Sequence, residues 1–393
     1  MLFASGVSNS RDLDTALKSI YTQIEGAMGG YQTDLAIIFT TADYADDCQE
    51  ISRRIRERYS PGVFLGCTGC GIIGSSQEYE EQPAISLLVG SLPGVEIAPF
   101  RLTQEDLQGI TDLEDARRLF GVSPEDRPNF FLFPDPFSIH ALNLLSILDR
   151  FYPSSVKLGG IASAGFQPES NRFYLNDETF TDGLVGMALQ GDIEVAPIVS
   201  QGCRPIGSPF LVTDAEQNIL RKLGNRPALE ALQELFISLS EEDMNLAQTA
   251  LLMGVVIDEY KTEFQRGDFL IRNLIGADPS KGSLVINDNV GIGQTIQFQV
   301  RDARSAAEDL EYLLSSRPES WNGRQPLAAF IFSCNGRGER LFSSPNHDIS
   351  LIRKWTGVSP AAGFFCAGEI GPIGGKSFIH GFTSSIGFIL PGS

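Results

Sequence analysis

"LAIIFTTADYADDCQEISRRIRERYSPGVFLGCTGCGIIG", Leu35 to Gly74, reads as a buried strand, a polar loop, a helix, a second strand and a glycine-rich turn. Tyr44, Cys48, Ile51, Ile55 and Tyr59 step by three and four, the spacing of one buried helix face. Asp43 stands where a helix cap is expected. The same order recurs in "NFFLFPDPFSIHALNLLSILDRFYPSSVKLGGIASAG", Asn129 to Gly165. Here Asp135 and Pro136 predict the helix start, because proline suits the first helical position. A third copy is "PLAAFIFSCNGRGERLFSSPNHDISLIRKWTGVSPAAGFFCAGEIGPIGG", Pro326 to Gly375, with a shorter helix predicted from near Asp348.

Strands alternating with helices predict an α/β fold with right-handed crossovers. In each copy the polar loop follows a strand's carboxyl end, the edge where open α/β sheets take ligands. The glycine turn follows the second strand and is predicted at the same edge, where glycine permits close backbone approach. Antiparallel signals lie between the copies. "AISLLVGSLPGVEIAPFRL" reads as strand, Pro-Gly turn, strand, and "SPFLVTDAEQNILRKLG" as a hairpin. "RPALEALQELFISLS" begins a helix at Pro227, and "ARSAAEDLEYLLSS" is a helix with Ala306, Leu310, Leu313 and Leu314 on one side. The expected class is therefore α/β, repeated β-loop-α-β units with mixed sheets. A break near residues 213–227 predicts domains 1–215 and 216–393, and the lack of a Gly/Ser linker predicts that they pack together.

The 393 residues allow two domains, each able to bury a core. A net charge of -19, from 30 basic and 49 acidic residues, argues against nucleic-acid partners and against adhesion to anionic membranes. No run reaches the ~18 apolar residues of a membrane span, so no membrane insertion is expected. "MLFASGVSNSRD" lacks the basic and apolar regions of a secretory signal, and six cysteines are sparse for this length. A cytoplasmic protein with reduced thiols is the expectation.

Several segments resemble the FIST domain proteins (F-box and intracellular signal transduction). They are "KLGGIASAG" (157–165), "DGLVGMALQGDIEVAPIVSQGCRPIGSPFLVT" (182–213), "RPALEAL", "GDFLIRNLIGADPSKGSLVINDNVGIGQTIQFQVRDARSAAEDL" (267–310), "FSCNGRG" and "GFFCAGEIGPIGG" (363–375). The resemblance runs from about residue 30 onward. It implies two packed FIST-type domains, N-terminal and C-terminal, forming a sensory module of signal transduction. It implies a small ligand, with amino acids proposed for such proteins, and an output through a separate signalling partner. Some relatives are associated with haem. No catalytic residues are implied.

The expected ligand cleft is built from the third copy. In "SCNGRG", Cys334 to Gly338, Arg337 can grip a carboxylate and Asn335 can orient an amide or ammonium group. Gly336 and Gly338 let backbone N–H groups face a ligand. In "CAGEIG", Cys366, Gly368 and Glu369 follow the second strand, and Glu369 can take an ammonium group. The bland alternative is that Arg337 pairs with a structural carboxylate, since charges in a dry cleft need each other or a ligand. Cys67, Thr68 and Gly69 of "GCTGCG", and Gly159 and Gly160 of "GGIAS", are expected to complete the edge. Cys67 and Cys70 form a C-x-x-C without a second zinc half-site and without a following helix, so metal and redox roles are disfavoured. The fold carries no P-loop motif. Arg204 in "CRPIG" is expected to bridge the halves.

No cofactor is expected from the residues. A haem sensor is the first rival, with His140, His347 and His380 as the axial candidates. The second rival is a thiol- or carboxylate-dependent enzyme in the same cleft, but a cysteine nucleophile needs a nearby base and no histidine spacing supplies one. The favoured reading is a noncatalytic module binding an amino acid or similar small carboxylate.

Overall fold

The computed structural model describes residues 1–316, 321 and 323–392. The chain forms two compact units. The larger comprises 1–199, 311–379 and 383–393, and the smaller comprises 200–310 with 380–382.

The larger unit contains three six-stranded sheets of identical plan. The centre of each is one copy's parallel pair. These are Leu35–Thr40 with Val63–Thr68, Asn129–Pro134 with Lys157–Gly160, and Ala328–Cys334 with Ala361–Cys366. Beyond the first strand lie two antiparallel strands. They are Ile85–Ser91 and Leu2–Ser8, Leu184–Gly191 and Val95–Leu102, and Thr383–Pro391 and Ile193–Gln201, respectively. Beyond the second strand lies a hairpin contributed by a different copy. Phe173–Leu175 and Glu178–Phe180 complete the first sheet. Glu369–Ile373 and Lys376–His380 complete the second. Gly71–Ile73 and Glu78–Glu80 complete the third. The three copies are thus laced together by exchange of hairpins.

Three related glycines set the spacing of the parallel pairs. A Cβ on Gly66, Gly159 or Gly363 would lie 1.8, 2.0 or 1.9 Å from the carbonyl oxygen of Ile38, Leu132 or Ile331. One residue past each of those three carbonyls stand Phe39, Phe133 and Phe332, whose ring centroids are 5.4, 6.3 and 5.9 Å apart. Phe364 packs onto all three at 5.0 to 6.3 Å. Edge-to-face aromatic contacts of this kind add to the burial of apolar area. This cluster is the centre of the larger unit's core.

The chain enters the smaller unit at the end of the strand Ile193–Gln201 and leaves it within the helix Ala303–Ser315, before the third copy begins. Six antiparallel strands close into a barrel: Phe210–Glu216, Ile219–Leu223, Ser283–Ile286, Phe269–Asp278, Leu251–Val256 and Thr295–Arg301, which pairs back to the first. Closure leaves no long open edge. The helices Ala228–Ser238 and Glu241–Ala250 add Ala231, Leu235 and Ala247 to a core with Val212, Met253 and Phe298.

Several expectations need correction. The 215/216 boundary falls inside the strand Phe210–Glu216, because that stretch belongs to the barrel and not to a linker. Asp43 does not cap the first copy's helix. It lies in a 3-10 turn, Ala42–Asp47, and accepts from the Thr41 hydroxyl, and the helix proper is Cys48–Tyr59. Asp135 caps a tight turn by accepting from the N–H groups of Phe137 and Ser138, and the helix starts only at Ala141. The strands flanking the Pro93–Gly94 turn enter different sheets and do not pair with each other. Arg204 pairs with Asp243 and Asp302, both within the smaller unit. The strand Leu2–Ser8 and the helix Leu13–Met28 precede the first copy and carry no prediction.

Candidate functional site

The second parallel strands of the three copies end together. Four residues past the glycines described above stand Cys70, Ser163 and Ala367. The Ser163 hydroxyl donates to the Phe365 carbonyl and accepts the Cys70 N–H at 3.0 Å. The Ile161 N–H donates to the Gly368 carbonyl at 2.9 Å, and the Ala367 N–H to the Ile161 carbonyl at 3.1 Å. The glycine turns therefore meet by backbone bonding. Small residues are needed here: a Cβ on Gly160 would lie 2.4 Å from Cys366 Sγ, and one on Gly69 would lie 2.8 Å from Phe364.

Over this junction opens a cleft of about 320 Å³. Cys70, Gly71, Glu80 and Glu81 come from the first copy, Ser163 and Phe166 from the second, and Asn335, Gly336, Arg340 and Phe365 from the third. The gathering of loops and glycine turns at strand carboxyl ends is as the sequence predicts. Of the expected ligand residues, only Asn335 and Gly336 line this cleft. Cys67, Thr68, Gly69, Gly159, Gly160, Cys366 and Gly368 are buried in the packing beneath or beside it. Cys334 is buried at the end of its strand, opposite Cys366 in register. Cys67 and Cys366 are fully buried, and burial pushes both thiols well up, which suppresses the reactive thiolate. Cys70 is the one half-buried thiol of the six, and burial raises it as well.

Arg337 does not reach the cleft. Its side chain is 0% exposed, with Nε donating to Asp348 Oδ2 at 2.6 Å and Nη2 to Oδ1 at 3.3 Å. Ser333 Oγ also donates to Asp348 Oδ2, at 3.2 Å, and His347 Nδ1 lies 2.9 Å from Oδ1. Burial alone would push the Asp348 carboxyl up, but the Arg337 guanidinium and the bonds from His347 and Arg337 hold it below the usual carboxylate range. Phe342 stacks on the His347 ring at 3.4 Å and lies under Arg337. The structural-pair reading of Arg337 is what the geometry shows. Glu369 is likewise fully buried, with Oε2 accepting the Thr383 N–H at 3.2 Å. Gly338 adopts φ +68°, and a Cβ there would meet the Glu80 carboxylate.

The exposed cation of the loop is Arg340, which pairs with Glu81. The acidic wall of the cleft was not read from the sequence. The hairpin Gly71–Ile73 and Glu78–Glu80 carries it across to the third copy, where Glu80 accepts the Glu339 N–H at 2.8 Å. Glu78 accepts the Ile349 N–H at 2.8 Å, and its own N–H donates to Asn346 Oδ1 at 2.6 Å. It thereby caps the helix His347–Thr356, whose Asn346 makes no side-chain cap of its own. The "E-Y-E-E" run, Glu78 to Glu81, was the available signal.

The three histidines are dispersed. His140 is exposed at the start of the helix Ala141–Phe151, His347 is tied to Asp348, and His380 is buried. Among the described residues no group of three or more His, Cys, Asp or Glu is placed to hold a metal ion, and no helix is long and apolar enough to cross a membrane.

The chain is thus an α/β protein built of three related copies, with a barrel unit between the second and third. The chain belongs to the FIST family: the FIST N domain model matches residues 34–226 and the FIST C domain model residues 228–372. FIST domains are sensory domains of signal transduction, and neither matched model is an F-box. An uncharacterized protein of Mycobacterium tuberculosis is 34% identical over 390 residues, covering 99% of this chain and 100% of its own. One of Mycobacterium bovis is also 34% identical, over 99% of both chains. Among solved structures, a cyanuric acid hydrolase from A. caulinodans aligns over 100% of both chains at 8% identity, with a TM-score of 0.35.

Proposed function

We propose that the chain is a noncatalytic sensory module that binds a small zwitterion or carboxylate, such as an amino acid, and signals through a separate protein partner. The observation that supports this is the cleft of about 320 Å³ to which all three copies contribute. Its lining places one guanidinium, Arg340, opposite two carboxylates, Glu80 and Glu81, with the Asn335 amide beside them. Arg340 takes a ligand carboxylate and Glu80 takes its ammonium group. These replace Arg337 and Glu369, which the packing consumes.

The test is thermal unfolding against a panel of amino acids and small carboxylates. At a hundredfold excess over Kd a bound ligand adds about 2.7 kcal/mol. The expected result is a shift in wild type that Arg340→Ala abolishes. Arg340 is 67% exposed in its ion pair, so its loss costs under ~1 kcal/mol of stability in the ligand-free protein. No shift for any compound would remove the amino-acid reading. A Soret band on haemin titration would instead favour the haem sensor.

A further inference from the structure

The hairpin that forms the acidic wall is the edge of its sheet. Among the described residues its outer strand, Glu78–Glu80, pairs only with Gly71–Ile73, which in turn pairs with the third copy at Ile72 and Ile73. The outer strand is held to the third copy by Tyr79, packed on the core, and by the polar contacts of Glu78, Glu80 and Glu81 with Ile349, Asn346, Glu339 and Arg340. Glu78 is the buried member. Its Oε2 has no hydrogen-bond partner among the described residues.

We propose that this hairpin is a proton-dependent latch: it closes the cleft wall while Glu78 is protonated and releases when Glu78 ionises. The groups facing Glu78 decide the sign. From the helix His347–Thr356 it meets Asp348, an ionised carboxylate, with His347 behind it. From the loop it meets Arg337, but that guanidinium is already engaged by Asp348. On its own strand the neighbour is Glu80. A second negative charge in this buried site would have to share Arg337 with Asp348, so the neutral acid is the form that packs.

Burial, then the Asp348 charge, push the Glu78 carboxyl from 4.5 up to about 8. A group raised in the closed state contributes stability that is complete below its open-state value and is lost as pH rises through the closed-state one. The latch therefore weakens from about pH 4.5 upward and is largely undone above pH 8. Because Gly71, Glu80 and Glu81 line the cleft, release opens it on that side.

The test reads the wall directly and needs no ligand, so it stands apart from the zwitterion assignment. Amide exchange is followed in peptides covering residues 71–82, corrected for the intrinsic rate, with the barrel strand 251–256 as reference. For a carboxyl moving between these two values, protection is expected to fall roughly 10- to 100-fold between pH 6 and pH 9. Glu78→Gln keeps an oxygen for the Ile349 N–H but cannot ionise, and its protection is expected to stay constant over that range. Glu80→Gln is expected to retain the fall. A flat wild-type profile overturns the proposal whatever the variants do, as does an equal fall in E78Q.

Discussion

Gly363→Ala is expected to destabilise the protein by about 4 kcal/mol or more, the range reserved for gross steric faults in a core. The added methyl would sit 1.9 Å from the Ile331 oxygen and 2.7 Å from its carbon, both main-chain atoms of the neighbouring strand. A flexible side chain could swing aside, but a ladder strand cannot without losing its pairing along Ala328–Cys334. Gly66→Ala and Gly159→Ala should behave alike, since each meets the same obstacle. Gly26→Ala is the matched control. It lies in the helix Leu13–Met28 with nothing within 4 Å of the new methyl, and it is expected to gain about 0.5–1 kcal/mol. Urea denaturation of the four variants checks the contrast. A Gly363→Ala protein within 1 kcal/mol of wild type would contradict the close approach.

Arg337→Ala carries the second large effect, about 3–5 kcal/mol, because it leaves the Asp348 carboxylate buried without its guanidinium. The pH dependence has a definite sign. Asp348 is held below its unfolded value of 3.8, so the wild-type pair contributes fully above that value and loses its contribution as pH falls. The gap between wild type and Arg337→Ala should therefore be widest near neutral pH and shrink in acid. Adding Asp348→Asn to the variant should recover part of the loss by removing the stranded charge. Denaturation midpoints of the single and double variants at pH 7 and at about pH 2.5, below the unfolded value, test both statements. A gap that is unchanged or wider at the lower pH would mean that the pair is not the source of the stability.

The sequence made the repeating unit legible. Buried strands leave unbroken apolar runs, and glycines within the second strands and just after them mark where a side chain would strike a neighbour. The helix periodicity around Ile51 and Ile55 and around Leu310 and Leu314 was equally plain, and all four side chains are buried. Pairing between copies was not legible. Ile72 meets Phe364 across nearly three hundred residues, and nothing local to either names the other. The direction of Arg337 was hidden for a similar reason: Asp348, eleven residues on, claims it, while the neighbouring glycines suggest an open loop. Glu78 to Glu81 carry no local sign of burial, because the burial of Glu78 depends on a helix from another copy.

The exchanged hairpins bear on what a broken peptide bond would do. The turn at Pro93–Gly94 joins the first copy to the rest, and both residues are exposed to a protease. A cut there severs the covalent link, yet residues 1–92 would still lend Gly71–Ile73 to the third sheet and borrow Phe173–Leu175 for the first. The two fragments are interleaved, not merely apposed. They should co-migrate under native conditions and part only in denaturant, so nicking maps will understate how accessible this chain is.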